Sequence, residues 1–198
     1  MKATTSETRT AGRPRDRRID EAVIAATREL LATEGYAGLS LAAVATRSGT
    51  NTPAIYRRWE SKAHLVHEAV FPESLATGLP STGDLRTDVE ALVRGSALLF
   101  SDPVARAALP GLLSDLVPHP ELHRELMDQL WVSRIGEVQQ LLDDATAKGR
   151  VRRGVRADHL LNIIGGSALL AVLTPGQTVL DEAWINSICT LALEGITT

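Results

Sequence analysis

Thr50, Asn51, Thr52, Pro53, Tyr56 and Arg57 fall within eight residues and bring hydroxyls, an amide, a phenol and a guanidinium to one short stretch. Those donors and acceptors suit phosphate oxygens and the edges of bases. No Gly-rich phosphate loop, nucleophile elbow or full metal-ligand set stands beside them to suggest catalysis.

Such a stretch is useful only if a rigid element presents it. Ala45 and Ile55 flank Gly49 at the spacing Ala-x3-Gly-x5-Ile. A small residue on one helix, a turn residue without Cβ strain and a β-branched residue on the next helix allow two short helices to cross closely. Val44 supports the same crossing. Held this way, the second helix exposes its N-terminal residues to a major groove while the first crosses the DNA backbone. The same spacing also serves a plain αα-hairpin, and that reading stays open on spacing alone.

The rest of the chain is read as all-α. Ile19, Ala22, Val23, Ala26, Leu30 and Leu31 recur at helical spacing and close at Glu34-Gly35. Ser40 caps a second helix broken at Ser48-Gly49, and a third begins at Asn51-Thr52-Pro53 with Ile55 and Trp59 inward. Ser61 opens a fourth, which Pro72 stops. After the Gly/Pro/Ser-rich stretch 78–83, Asp84 caps a helix with Leu85, Val89, Leu92, Ser96 and Leu99 on one face. Asp102-Pro103 starts another, expected to break at Pro110-Gly111. A long helix over 121–148, a basic loop over 149–154 and apolar helices over 158–173 and 181–193 complete the chain.

Charge divides along the same line. The net charge of −3 averages residues 1–67, where eleven Lys and Arg face seven acids for a net +4, and a remainder at −7. A basic head on an acidic body suits a polyanion partner for the head alone. The single cysteine, Cys189, makes no intrachain disulfide and reads as a buried small hydrophobe. No apolar run approaches the ~20 residues needed to span a bilayer, and no secretory signal opens the sequence, so a cytoplasmic setting is expected.

The string Gly49-Thr50-Asn51-Thr52-Pro53-Ala54-Ile55-Tyr56-Arg57-Arg58-Trp59-Glu60-Ser61-Lys62-Ala63-His64-Leu65 resembles the helix-turn-helix signature of the TetR family of bacterial transcriptional regulators. Ala25-Ala26 through Leu30-Leu31, Glu34-Gly35-Tyr36 and Leu39-Ser40 look like that family's first helix and following turn. Thr50, Asn51 and Trp59 stand where Val, Ser and Phe are usual, each keeping the size or capping role. The resemblance implies a three-helix DNA-binding domain over 17–66, preceded by a flexible basic arm over 1–16 and followed by an effector-binding and dimerisation domain over 67–198. It makes Thr52 and Tyr56 phosphate contacts and Lys62 the lysine that holds the DNA backbone at the start of the fourth helix. Pro53 and Ala54 are expected close to the groove, able to touch a thymine methyl. Ser40 can offer phosphate its hydroxyl, Arg57 suits guanine or phosphate, and Arg13 and Arg15 could enter the minor groove or remain a solvated tail.

For the second half the family implies dimerisation and a small-molecule effector. The last two helices are apolar beyond one face, as a two-helix contribution to a four-helix interface would require. Leu161, Ile164, Gly165, Leu169, Trp184, Ile188 and Leu191 are the expected interface residues. Ser96, Leu99, Phe100, Leu112, Leu116, Met127, Trp131, Arg134, Asn162 and Ser167 are the expected lining of a hydrophobic effector pocket. The partners expected are palindromic double-stranded DNA, a second copy of the chain and the effector, with no membrane, metal or cofactor. Two other readings remain: a constitutive DNA-binding regulator without effector, and a metal-dependent helical enzyme using His119 and His123, which a surface pair at a helix start explains as well.

Overall fold

Side-chain caps fix where most of the helices begin. The computed structural model describes residues 17–72, 82–174 and 180–198, with side chains throughout these except at 123 and 125–133. It contains α1 (Arg17–Gly38), α2 (Leu41–Arg47), α3 (Thr52–Tyr56), α4 (Lys62–Val70), α5 (Leu85–Ser101), α6 (Pro103–Leu116), α7 (Pro120–Ala147), α8 (Ala157–Leu173) and α9 (Glu182–Ile196). Ser40 accepts from the Ala43 N–H at 3.2 Å, Asn51 from Ala54 at 2.9 Å and Ser61 from His64 at 3.1 Å. Asp84, Asp102 and Asp181 do the same for Thr87, Val104 and Trp184. Each cap satisfies one of the amide donors that a helix start leaves without a partner. Among the described residues no strand forms beyond an isolated bridge between Val151 and Thr197. None of the described helices is long and apolar enough to cross a membrane.

Two hydrophobic cores form. The first joins α1 to α4 with α6, around Val23, Leu31, Val44, Ile55, Trp59, Leu65 and Leu112. The second joins α5, α7, α8 and α9 around Val89, Leu142 and Ile164, and Phe100 packs against both. Residues 66 and 67 are consecutive within α4, and α6, from the later half of the chain, completes the N-terminal core.

α6 does not break at Pro110-Gly111; it runs from Pro103 to Leu116 with Pro110 inside. An internal proline costs a helix about 3 kcal/mol. Here the flanking Ala108, Leu109 and Leu112 are buried against the first core and hold the two halves in line. Leu161 and Ile164, expected at the interface, are 6% and 1% exposed within the chain's own second core. The uncovered apolar side chains of the last two helices are Ile163, Leu170 and Leu173 on α8 and Leu191 on α9. Gly165, Leu169, Trp184 and Ile188 are half-buried, and Leu169 leans on the first core. Leu112 and Leu116, expected to line an effector pocket, are buried in the first core.

Candidate nucleic-acid interface

The turn between α2 and α3 follows from Gly49. Its φ of 68° lies in the left-handed region, where a side chain is disfavoured. The Thr50 N–H then donates to the Ala45 carbonyl at 2.9 Å and the Gly49 N–H to Thr46 at 3.4 Å. These two bonds are the pair that closes a Schellman end, so the chain leaves α2 at a fixed angle. Asn51 caps α3 immediately afterwards, and Pro53 sits in its first turn, where the missing N–H costs nothing. Ala45 and Ile55, 5% and 0% exposed, meet in the core as the spacing required.

This anchoring decides which α3 side chains remain outside. Asn51, Pro53, Tyr56 and Arg57 are exposed, and Thr50 and Thr52 are half-buried. Asn51 spends its carbonyl oxygen on the cap, which leaves its amide NH2 as a donor. Tyr56 is 55% exposed, a large aromatic left in solvent. No carboxylate pairs with Arg57 among the described residues. Ala54, expected near a thymine methyl, is 6% exposed, buried beside Ile55 in the chain. Ser40 is exposed but already bonded to the Ala43 N–H. Arg13 and Arg15 lie outside the described residues.

Neighbouring cations divide into engaged and available groups. Arg47 pairs with Glu29 at 2.7 Å, and Arg58 pairs with Asp20. Trp59 is 2% exposed and donates its indole N–H to Glu68 at 2.6 Å, so it is a core residue and not a stacking platform. Lys62 opens α4 with its Nζ 4.2 Å over the centroid of the Tyr36 ring. Tyr36, legible in the sequence only as part of the turn after the first helix, donates its hydroxyl to Asp115 of α6. Sequence reasoning passed over Arg28, which donates to the Ala69 carbonyl at 2.7 Å and pairs with Asp102 at 2.6 Å. These are contacts between residues 41 to 79 positions apart, for which local spacing carries no signal.

Asn162 is exposed on α8, and the Ser167 hydroxyl donates to the Ile163 carbonyl of its own helix at 2.5 Å. Met127 and Trp131 have side chains outside the described set. Ser96, Leu99, Phe100 and Arg134 are half-buried, and Phe100 packs against both cores. Burial pushes the Arg134 guanidinium below its ordinary pKa, and the nearby Glu137 charge opposes that shift. A separate open hollow of about 490 Å3, lined by Pro103, Arg106, Ala107, Leu109, Pro110, Val172 and Leu173, shares no residue with the expected lining. Among the described residues no group of three or more His, Cys, Asp or Glu is placed to hold a metal ion. The side chain of His123 lies outside them. Cys189 is buried, and burial raises its thiol pKa.

Known proteins carry the same plan. Residues 23–69 match the family model described as bacterial regulatory proteins, tetR family, and residues 79–192 match that of the tetracyclin repressor-like C-terminal domain. The chain is 30% identical to the DNA-binding transcriptional repressor TetR of Mycobacteroides abscessus, over 83% of this chain and 86% of that one. It is 28% identical to an uncharacterised HTH-type transcriptional regulator of Mycobacterium tuberculosis, over 78% and 76% of the two chains. Among solved structures, the TetR family transcription regulator SCO0332 superposes with a TM-score of 0.69 at 27% identity, covering 89% of this chain and 97% of that one. A TetR-family regulator from Mesorhizobium loti shares the fold with a TM-score of 0.65 at 18% identity, over 92% and 96%. With the helix-turn-helix at its N-terminus and the helical domain behind it, the chain belongs to the TetR family of DNA-binding transcriptional regulators.

Proposed function

We propose that the protein is a dimeric repressor that leaves a palindromic operator when a small hydrophobic ligand binds its later helices. The observation that carries the DNA side of this reading is the division of α3. Ala54 and Ile55 are buried, while Asn51, Pro53, Tyr56 and Arg57 stand in solvent along the short helix offered to a major groove. Thr52 and Tyr56 contact phosphate, Arg57 contacts guanine or phosphate, and Lys62 holds the backbone at the start of α4.

Dimerisation is supported by the uncovered stripe of Ile163, Leu170 and Leu173 on α8 beside Leu191 on α9. Large apolar side chains left in water on two adjacent helices mark an interaction surface, and a self-complementary one gives a two-fold dimer. Two heads related by such an axis read two half-sites separated by a helical turn of DNA. The ligand is accommodated near Ser96, Leu99, Phe100 and Arg134. Its effect is a population shift: it favours a form whose heads no longer match successive grooves.

Selection from a pool of random duplexes with purified protein tests the reading, followed by a binding titration across salt. An enriched inverted repeat and a steep fall of affinity with salt are expected. Equal retention of all duplexes, or a protein that sediments as a monomer while bound, contradicts it. Enriched DNA then serves in a displacement screen with apolar metabolites, where release by none would leave a constitutive regulator.

A further inference from the structure

The Tyr36 ring lies between a cation of α4 and an anion of α6. Lys62 Nζ stands 4.2 Å over the ring centroid, and the phenol hydroxyl donates to Asp115 Oδ2. The ring is also seated on bare helix backbone. A Cβ built on Gly111 would come within 2.3 Å of Tyr36 Cδ1 and 2.8 Å of its Cβ, so α6 touches the aromatic side chain through a residue without one. Tyr36 is 7% exposed, whereas Asp115 lies at the surface. Burial, and then the bond to Asp115, raise the phenol pKa, so the hydroxyl stays protonated and donating at neutral pH.

Lys62 needs such a support. As the first residue of α4 it places a positive charge at the positive end of a helix dipole, where a cation is disfavoured. Its long stem has many rotamers, and a phosphate contact must order them. An aromatic face beneath the ammonium attracts it and restricts it without neutralising it. Donation of the phenol proton toward a carboxylate leaves more electron density on the ring, so Asp115 strengthens the hold on Lys62 from the far edge.

We propose that Tyr36 is a positioning residue for the DNA-backbone contact of Lys62, and that Asp115 on α6 sets where the ring, and hence the ammonium, stands. The inference rests on the reading of Lys62 as a phosphate contact. It makes the reach of one DNA-binding side chain depend on the placement of a helix whose chain neighbours, α5 and α7, line the second core.

A double-mutant cycle tests it, using the duplex enriched by the wild-type protein and titrations at several salt concentrations. Tyr36→Phe keeps the ring and removes the tie, and Asp115→Ala removes the tie from an exposed position. Each is expected to weaken binding about three- to tenfold in the wild-type background and to change nothing further once Lys62 is alanine. Lys62→Ala is expected to reduce the salt slope by about two, for one phosphate in each of two subunits. Equal weakening by Tyr36→Phe with and without Lys62 would overturn the proposal, because a merely structural tyrosine acts independently of the lysine. Full affinity in both Tyr36→Phe and Asp115→Ala would overturn it as well. A Lys62→Ala protein with unchanged affinity and slope removes the phosphate reading of that lysine and the inference with it. Failure of the wild type to enrich any duplex would instead remove the wider functional reading.

Discussion

Arg28 of α1 and Asp102 at the start of α6 meet at 2.6 Å, and Asp102 also accepts from the Val104 N–H at 3.1 Å. One carboxylate therefore begins a helix and ties it to the N-terminal bundle. The other arm of the Arg28 guanidinium donates to Ala69, in the last turn of α4, so three helices converge on one side chain. The two partners are 37% and 27% exposed, which limits the ion pair itself to at most about 1 kcal/mol. Asp102→Ala, which removes cap and pair together, is expected to cost about 1–2 kcal/mol in a urea melt. Asp102→Asn keeps an acceptor for Val104 and is expected to cost less than half of that.

Gly111 is expected to be intolerant of any side chain. The 2.3 Å approach of a Cβ to the Tyr36 ring is met by backbone on one side and a buried ring on the other. Gly111→Ala should gain helix propensity yet lose about 1–3 kcal/mol from overpacking. Chemical denaturation of the two proteins measures the balance, and a stabilised variant would mean that the ring moves aside freely.

The cap of α3 separates stability from recognition. Asn51→Ala should lower stability by about 1 kcal/mol and weaken operator binding. Asn51→Asp should restore stability, because its carboxylate caps as well. It should not restore binding, because it replaces the amide donor with a negative charge facing phosphate. Parallel melts and binding titrations distinguish the two outcomes.

Alkaline pH reports on Tyr36. Its pKa is raised in the folded chain above the ordinary 10.0, first by burial and then by Asp115. The neutral phenol is therefore favoured on folding, and its contribution is whole below pH 10. Above pH 10 the unfolded chain ionises first and draws the equilibrium toward itself, so stability falls as pH rises. Tyr36→Phe has no such group and should show a shallower decline between pH 10 and 12 in melts followed by circular dichroism.

The two faces of α8 should behave oppositely. Ile164→Ala opens a cavity in the second core and should cost about 2–5 kcal/mol at any concentration. Leu170→Glu, at a position 67% exposed, should leave the fold intact and dissociate the dimer in sedimentation experiments. A dimer that survives Leu170→Glu would move the interface elsewhere.

Local chemistry was legible in the sequence wherever one residue acts on its near neighbours. Ser40, Asn51, Ser61, Asp84, Asp102 and Asp181 cap at three residues' distance or less, and each could be read directly. The Ala45–Gly49–Ile55 crossing was readable for the same reason. The continuity of α6 was not, because what holds it through Pro110 is packing against α1 and α4, remote in sequence. Nor could the buried stripe of α8 be chosen. A helix apolar around most of its circumference has no periodicity to separate Leu161 and Ile164, which face inward, from Ile163 and Leu170, which do not. At the candidate interface, Ala54 is buried and Tyr56 is exposed although both adjoin Ile55, a difference that adjacency in the sequence does not signal.

Recognition through α3 and α4 is measured by comparing binding of the enriched duplex by the wild-type protein and by Thr52→Ala combined with Lys62→Ala, with thermal melts of both. The wild type is expected to prefer an inverted repeat with half-site centres about 34–36 Å apart. The double variant is expected to lose that preference while melting within a few degrees of the wild type. Retention of tight, sequence-selective binding by a folded double variant would contradict recognition through α3 and α4.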